Sequence, residues 1–240
     1  MVDGFLTCGD KNKFVVNHRV ILFMSIKDEE AISFELNDSE SLFVFFGGIS
    51  GGLYLPKFEF YKSSGVLDAS RVFIRDMNQA WYHKGLKDDG NIEQFIEEIG
   101  KICSLRSFDK ITFVGNSMGG YAALLSQLVL GVGRAVAFNP QTFISSDLRL
   151  EHKDFRWEAQ IKKVKNIIES SPYKDLKTIV EDTNRTNCEI HVAKDDLLDL
   201  KHAWNLANYN SISIIEHESG GHNLVGSLRD SDQLLKIVQG

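Results

Sequence analysis

The sequence predicts an α/β protein built on a mostly parallel, twisted sheet, and three observations carry the prediction. From residue 111 onward, short apolar runs alternate with helix-like stretches, a rhythm that implies right-handed crossovers between parallel strands. The run Leu42-Phe43-Val44-Phe45-Phe46 is apolar at every position and stops at Gly47-Gly48, as suits a strand buried on both faces. Before it, short strand-like segments are separated by polar turns, which reads as an antiparallel beginning. Together these patterns describe a mixed sheet of eight strands flanked by helices.

The elements follow in order. Residues 14–17, 20–27 and 31–37 are expected as short strands, with turns at Asn17-His18 and Asp28-Glu29-Glu30. Residues 42–46 form the buried strand, and 71–74 another. Residues 91–105 are expected as a helix, because Ile92, Phe95, Ile96, Ile99 and Ile102 share one stripe. Strands follow at 111–114 and 135–138, separated by an Ala- and Leu-rich helix at 118–130. A strand at 188–193, a helix around 201–207, a strand at 212–215 and a mainly helical end at 223–238 complete the pattern. Residues 141–187 interrupt it. They are polar, with helices expected near 155–170 and 173–181, and read either as a small cap over a site or as a long crossover with surface helices.

With 240 residues, only three prolines and no repeat or linker, the chain is expected to fold as one domain, 1–240. It is 43% hydrophobic and 25% charged, an ordinary globular composition that buries a core without staples. The net charge of -6 argues against nucleic acid as a partner. The three cysteines, Cys8, Cys103 and Cys188, form neither a disulfide framework nor a zinc pattern. Residues 1–10 lack a basic region followed by an apolar run, and no stretch reaches the ~18 apolar residues of a spanning helix. The expectation is therefore a cytoplasmic protein without a membrane partner; oligomeric state is not readable.

The chemistry concentrates in Ile111-Thr112-Phe113-Val114-Gly115-Asn116-Ser117-Met118-Gly119-Gly120-Tyr121-Ala122-Ala123. The G-x-S-x-G pattern from Gly115 to Gly119 is weak alone, but an apolar strand enters it and a helix leaves it. That is the context of a nucleophile elbow. Such a turn presents its serine from a strained backbone, with glycines where chains approach closely, and the helix N-terminus favours negative charge beside the hydroxyl.

With this elbow the chain resembles the α/β-hydrolase superfamily over most of its length. In that superfamily the nucleophile follows the fifth strand, an acid the seventh and a histidine the eighth. The resemblance implies Ser117 as nucleophile and His222, in Glu218-Ser219-Gly220-Gly221-His222-Asn223, as the general base that takes its proton. His217, nearer the strand end, is the rival. Three carboxylates follow the strand at 188–193. Asp196 best fits the superfamily's spacing for the acid, with Asp195 and Asp199 as alternatives.

An oxyanion hole needs two N–H donors. Met118, after the nucleophile, supplies one. The other is expected from Gly47-Gly48-Ile49-Ser50-Gly51-Gly52, with Gly48 first and Ile49 second. Phe46 stands where many members of the superfamily carry a histidine. Trp81, Tyr82 and Asn139 follow strand tips on the ligand-facing edge and are candidates for contacting substrate, although Trp81 and Tyr82 could equally anchor their loop. The resemblance implies a serine hydrolase acting on an ester or thioester of a small or polar acyl compound. Amide cleavage, acyl transfer, or binding at a vestigial site stand as alternatives. No cofactor is implied, and no residue cluster has metal-ligand spacing.

Overall fold

In the computed structural model, residues 13–16, 19–23, 30–49, 57–86, 89–180 and 185–240 are described, the first two segments as backbone only. The expected strand ends at residue 17 and at 24–27 lie outside these. The strands are β1 (Lys13–Val16), β2 (Arg19–Phe23), β3 (Ile32–Leu36), β4 (Ser41–Phe46), β5 (Ser70–Ile74), β6 (Lys110–Asn116), β7 (Arg134–Phe138), β8 (Cys188–Ala193) and β9 (Ile212–His217). They form one sheet in the order β1-β2-β3-β5-β4-β6-β7-β8-β9. The first three pair antiparallel, and β3 joins β5 antiparallel. Every pairing from β5 through β4 to β9 is parallel. The sheet is mostly parallel, as expected; its nine strands fall on the nine expected strand segments, one more than the eight-stranded sheet expected of them. The hairpin β1–β2 extends its antiparallel edge.

The apolar run of β4 shows why this strand is central. Leu42, Val44 and Phe46 belong to the core on one face, while Phe43 and Phe45 belong to the other. The first face is covered by α1 (Ile92–Cys103), α2 (Met118–Leu130), α4 (Glu158–Ser170) and α5 (Leu197–Trp204). The second is covered by α6 (Leu224–Asp230) and α7 (Leu234–Gln239). Helix α1 buries the expected stripe, and a capping box between Asn91 and Gln94 starts it.

Three helical boundaries depart from expectation. Among the described residues, the segment 141–187 contains an extra short helix, α3 (Ser146–His152), and a 3-10 turn at Leu176–Ile179 in place of the helix expected near 173–181, whose last residue lies outside the described ones. Helix α4 buries Ile161, Val164 and Ile168, so this segment is packed on the core. The helix after β8 begins at Leu197, because Asp196 caps it with bonds from the Leu198 and Asp199 amides. The C-terminal helix is split into α6 and α7 by a turn at Ser231-Asp232. Among the described residues no helix is long and apolar enough to cross a membrane. The C-terminal ends of β4, β6, β7, β8 and β9 share one edge of the sheet, where ligand crevices of parallel sheets form.

Candidate active site

Ser117 follows β6 with φ 54° and ψ -118°, a left-handed conformation costly to any side-chain-bearing residue. The surrounding glycines explain how it is reached. A Cβ on Gly115 would run into the Gly119 carbonyl, and one on Gly119 would run into the Phe46 carbonyl. Strand, turn and helix can close this tightly only where both positions lack a side chain. The Ser117 amide donates to the Phe138 carbonyl at 2.9 Å, fastening the turn to β7.

Ser117 Oγ lies 3.0 Å from His222 Nε2. On the other side of the ring, His222 Nδ1 lies 2.7 Å from Asp199 Oδ2. The three residues therefore form one hydrogen-bonded line, drawn from the ends of β6, β8 and β9. Asp199 is fully buried, whereas His222 retains some exposure.

The carboxylate on His222 is Asp199, not the expected Asp196. Asp196 Oδ1 is 3.0 Å from each of the Leu198 and Asp199 amides, so this carboxylate is committed to capping α5. Asp199 sits one turn further on, where the helix turns its side chain inward. Asp195 plays a third part. Its carboxylate accepts the Gly220 and Gly221 amides at 3.2 and 2.8 Å, and so pins the loop that carries His222. These bonds hold its carboxyl below the usual carboxylate range. The D-L-L-D pattern carried a signal for the reassignment, since an aspartate just before a helix serves its own backbone first. His217, the rival base, instead bonds to His191 at 3.0 Å.

Two further residues brace the line, and neither was singled out from sequence. Arg156, between α3 and α4, donates to Asp199 Oδ1 at 2.6 Å and stands 3.5 Å from His222 Nδ1. It also grips Asp154, with Nε 3.0 Å from Oδ1 and Nη2 2.8 Å from Oδ2. Asp154 in turn bonds to His202 Nε2 at 2.9 Å. Burial opposes ionisation of both Asp154 and Arg156. The bonds from His202 and Arg156 outweigh it at Asp154, holding that carboxyl well below its usual range, and the Asp154 and Asp199 carboxylates outweigh it at Arg156, raising the guanidinium. Trp157, with φ 57°, brings its ring 6.3 Å from that of His222. The stretch 154–157 thus reaches the site from the segment that interrupts the sheet.

The loop after β4 contains the proposed donors. A Cβ on Gly48 would fall 3.7 Å from Ser117 Cβ, 3.0 Å from the Asn116 carbonyl and 3.2 Å from Glu59 Oε1. The Gly48 N–H faces the Glu59 carboxyl. Burial pushes that carboxyl up to about 7, opposed by the Gly48 N–H and by His222. Met118 opens α2 directly after Ser117, placing its N–H at the helix N-terminus.

Trp81 and Tyr82 do not line an opening. Both are buried, with Trp81 Nε1 donating to Gln141 Oε1 at 2.7 Å and Tyr82 Oη donating to the Gly47 carbonyl at 2.9 Å. The Asp76 carboxylate accepts the Ala80 and Tyr82 amides at 2.6 and 2.8 Å and holds their loop in its left-handed turns. These rings anchor the loop after β5 and fix Gly47 from behind. Asn139 is also buried, and its Nδ2 donates to the Gly221 carbonyl at 3.0 Å, tying β7 to the His222 loop. All three are buried and bonded within the fold.

Asp196, Asp199 and His222 offer ligand atoms within 4.8 Å of one another. The donor set does not suit a cation, because Asp199 and His222 are bonded to each other and the Arg156 guanidinium already occupies their flank.

Residues 71–239 match the model of the uncharacterised protein family UPF0227. The chain belongs to this family. No curated protein matches it in sequence. Among solved structures, the capsule O-acetyltransferase of Neisseria meningitidis serogroup A superposes with a TM-score of 0.66 at 16% identity, covering 94% of this chain and 96% of that one. FphF, a fluorophosphonate-binding serine hydrolase of Staphylococcus aureus, gives 0.60 at 13% identity, covering 94% and 96%. The S-formylglutathione hydrolase FrmB of the same organism gives 0.58 at 16% identity, covering 92% and 98%. The fold of this UPF0227 member is that of the α/β-hydrolases.

Proposed function

We propose that the protein is a serine hydrolase that cleaves an ester or thioester of a small or polar acyl compound through an acyl-enzyme. The observation that carries this reading is the line Ser117–His222–Asp199, with its 3.0 and 2.7 Å contacts, set on a strained elbow. Ser117 Oγ attacks the acyl carbon and passes its proton to His222 Nε2. The imidazolium hands that proton to the leaving group. Water then attacks the acyl-enzyme, again giving its proton to His222. Asp199 holds the imidazole with its proton on Nδ1 and stabilises the cation as it forms. Met118 and the Gly48 loop face the developing oxyanion.

A second reading shares the acyl-enzyme and differs only in its acceptor, a hydroxyl in place of water. The likeness to an O-acetyltransferase favours it. Product analysis with hydroxyl-bearing acceptors separates the two.

The test of the shared chemistry is covalent labelling. A fluorophosphonate probe is expected to modify Ser117, mapped by mass spectrometry, and to fail with Ser117→Ala and His222→Ala. Absence of labelling in the folded wild-type protein would overturn the reading.

A further inference from the structure

Glu59 places its carboxyl against the oxyanion loop, and the proposed mechanism gives it no part. Its position is built from both sides. Phe58 lies beneath the Arg75 guanidinium, 4.3 Å from ring centroid to Cζ, and Phe60 packs 5.5 Å from Phe45 and 6.3 Å from Phe138. Phe60 has φ 63°, a turn that holds the chain against the sheet edge. Glu59 is thereby directed at Gly48, the same glycine that Ser117 Cβ approaches. The groups facing it are the Gly48 N–H, the His222 imidazole and the Tyr82 phenol, with the Asp76 carboxyl behind that phenol.

An ionised carboxylate here makes little chemical sense. It would set a negative charge where another must develop, and it would have no proton to give to the oxyanion in return for the Gly48 N–H. A neutral acid resolves the conflict, because a carboxylic acid both accepts and donates. We propose, on the footing of the hydrolase reading, that Glu59 acts as a neutral acid and is a further catalytic residue: its carbonyl oxygen accepts the Gly48 N–H while its hydroxyl donates to the acyl oxygen of the substrate. When Ser117 Oγ bonds to the acyl carbon, the carbonyl electron pair moves onto that oxygen, which takes bonds from the Met118 N–H and the Glu59 hydroxyl. Glu59 keeps its proton throughout; the serine proton travels through His222 to the leaving group. The elevated carboxyl, near 7, keeps the acid form available at neutral pH, as carboxylic acids held neutral in apolar sites can serve as oxyanion donors.

The test compares wild type, Glu59→Gln and Glu59→Ala by the rate of fluorophosphonate labelling at Ser117 across pH 5.5–9, and by hydrolysis of p-nitrophenyl acetate. An amide keeps both the acceptor and the donor but cannot ionise. The wild-type rate is expected to fall on the alkaline side, by roughly 10²-fold or more, as a lost oxyanion donor costs. Glu59→Gln is expected to stay within about tenfold of wild type at pH 6 and to lose the alkaline fall. Glu59→Ala is expected to be slow at every pH. An alkaline fall that persists unchanged in Glu59→Gln, or a Gln variant as slow as Ala at pH 6, overturns the proposal. No labelling of wild type at any pH overturns the hydrolase reading and this proposal with it, an outcome distinct from labelling that ignores Glu59.

Discussion

Asp199 Oδ2 stands 2.7 Å from His222 Nδ1, while Asp196, one helical turn earlier, gives its carboxylate to the amides of Leu198 and Asp199. Two aspartates three positions apart thus perform different work: one starts the helix and the other orients the imidazole. Their substitutions are expected to separate accordingly. Asp199→Asn should lower kcat by about 10⁴-fold with the fold intact, because the amide favours the wrong tautomer of His222. Asp196→Ala should cost about 1 kcal/mol of stability through the lost cap and leave most of the activity. Steady-state kinetics and urea unfolding of the two variants decide the assignment.

Arg156 holds Asp199 and Asp154 together, and both carboxylates are buried. Arg156→Met is expected to cost about 3–5 kcal/mol, since it strands buried charge. Arg156→Lys should recover little, because a single ammonium cannot match the guanidinium fork that spans both carboxylates. Thermal melts measure the first effect. A shift in the pH dependence of Ser117 labelling, which general destabilisation would not produce, measures the role of Arg156 in positioning His222.

Glu59 and His83 are expected to oppose each other in the pH dependence of stability over the same acid-to-neutral range. Burial, its largest cause, raises the Glu59 carboxyl from 4.5 to about 7, so the folded state binds more protons across that window and loses stability as pH rises through it. Burial lowers the His83 imidazole from 6.5 to about 4, opposed by the Trp81 and Ala80 backbone. The unfolded chain there binds more protons, so stability is lost as pH falls from 6.5 toward 4. Each shift corresponds to at most about 3.5 kcal/mol, less for Glu59, which is only half-buried. Melting temperatures between pH 4 and 7 should show Glu59→Gln rising with pH, as the His83 effect is left alone, and His83→Asn falling with pH, as the Glu59 effect is left alone.

Gly119→Ala is expected to destabilise by more than about 4 kcal/mol or to prevent folding, because the new Cβ meets the Phe46 backbone rather than a movable side chain. Gly221→Ala is the informative contrast. A Cβ there meets nothing within 4 Å, although φ is 52°, so only the left-handed backbone is penalised, by about 1 kcal/mol. Chemical denaturation of the pair distinguishes crowding from conformational strain.

Much of this architecture was legible in the residues themselves. The unbroken apolar run of β4, the stripe on α1 and the strand–helix alternation after residue 110 reflect burial and periodicity, which depend on neighbours in sequence. The elbow at Gly115-Asn116-Ser117-Met118-Gly119 was legible for the same reason, since its glycines answer a local steric demand. His222 was legible through its position after the last strand and before the last helix.

What only the tertiary structure decided is which polar groups meet. Asp196 and Asp199 are chemically alike and close in sequence, so choosing between them depends on where α5 begins and how it is rotated against the sheet. Arg156 reaches Asp199 across 43 residues, and Glu59 reaches Gly48 through a turn fixed by Phe58 and Phe60. Trp81, Tyr82 and Asn139 stand at the expected strand tips, but packing turned them inward. Local patterns determine the backbone and the side that is buried. The partner of a buried charge is determined by the few groups that the finished fold brings within about 3 Å of it.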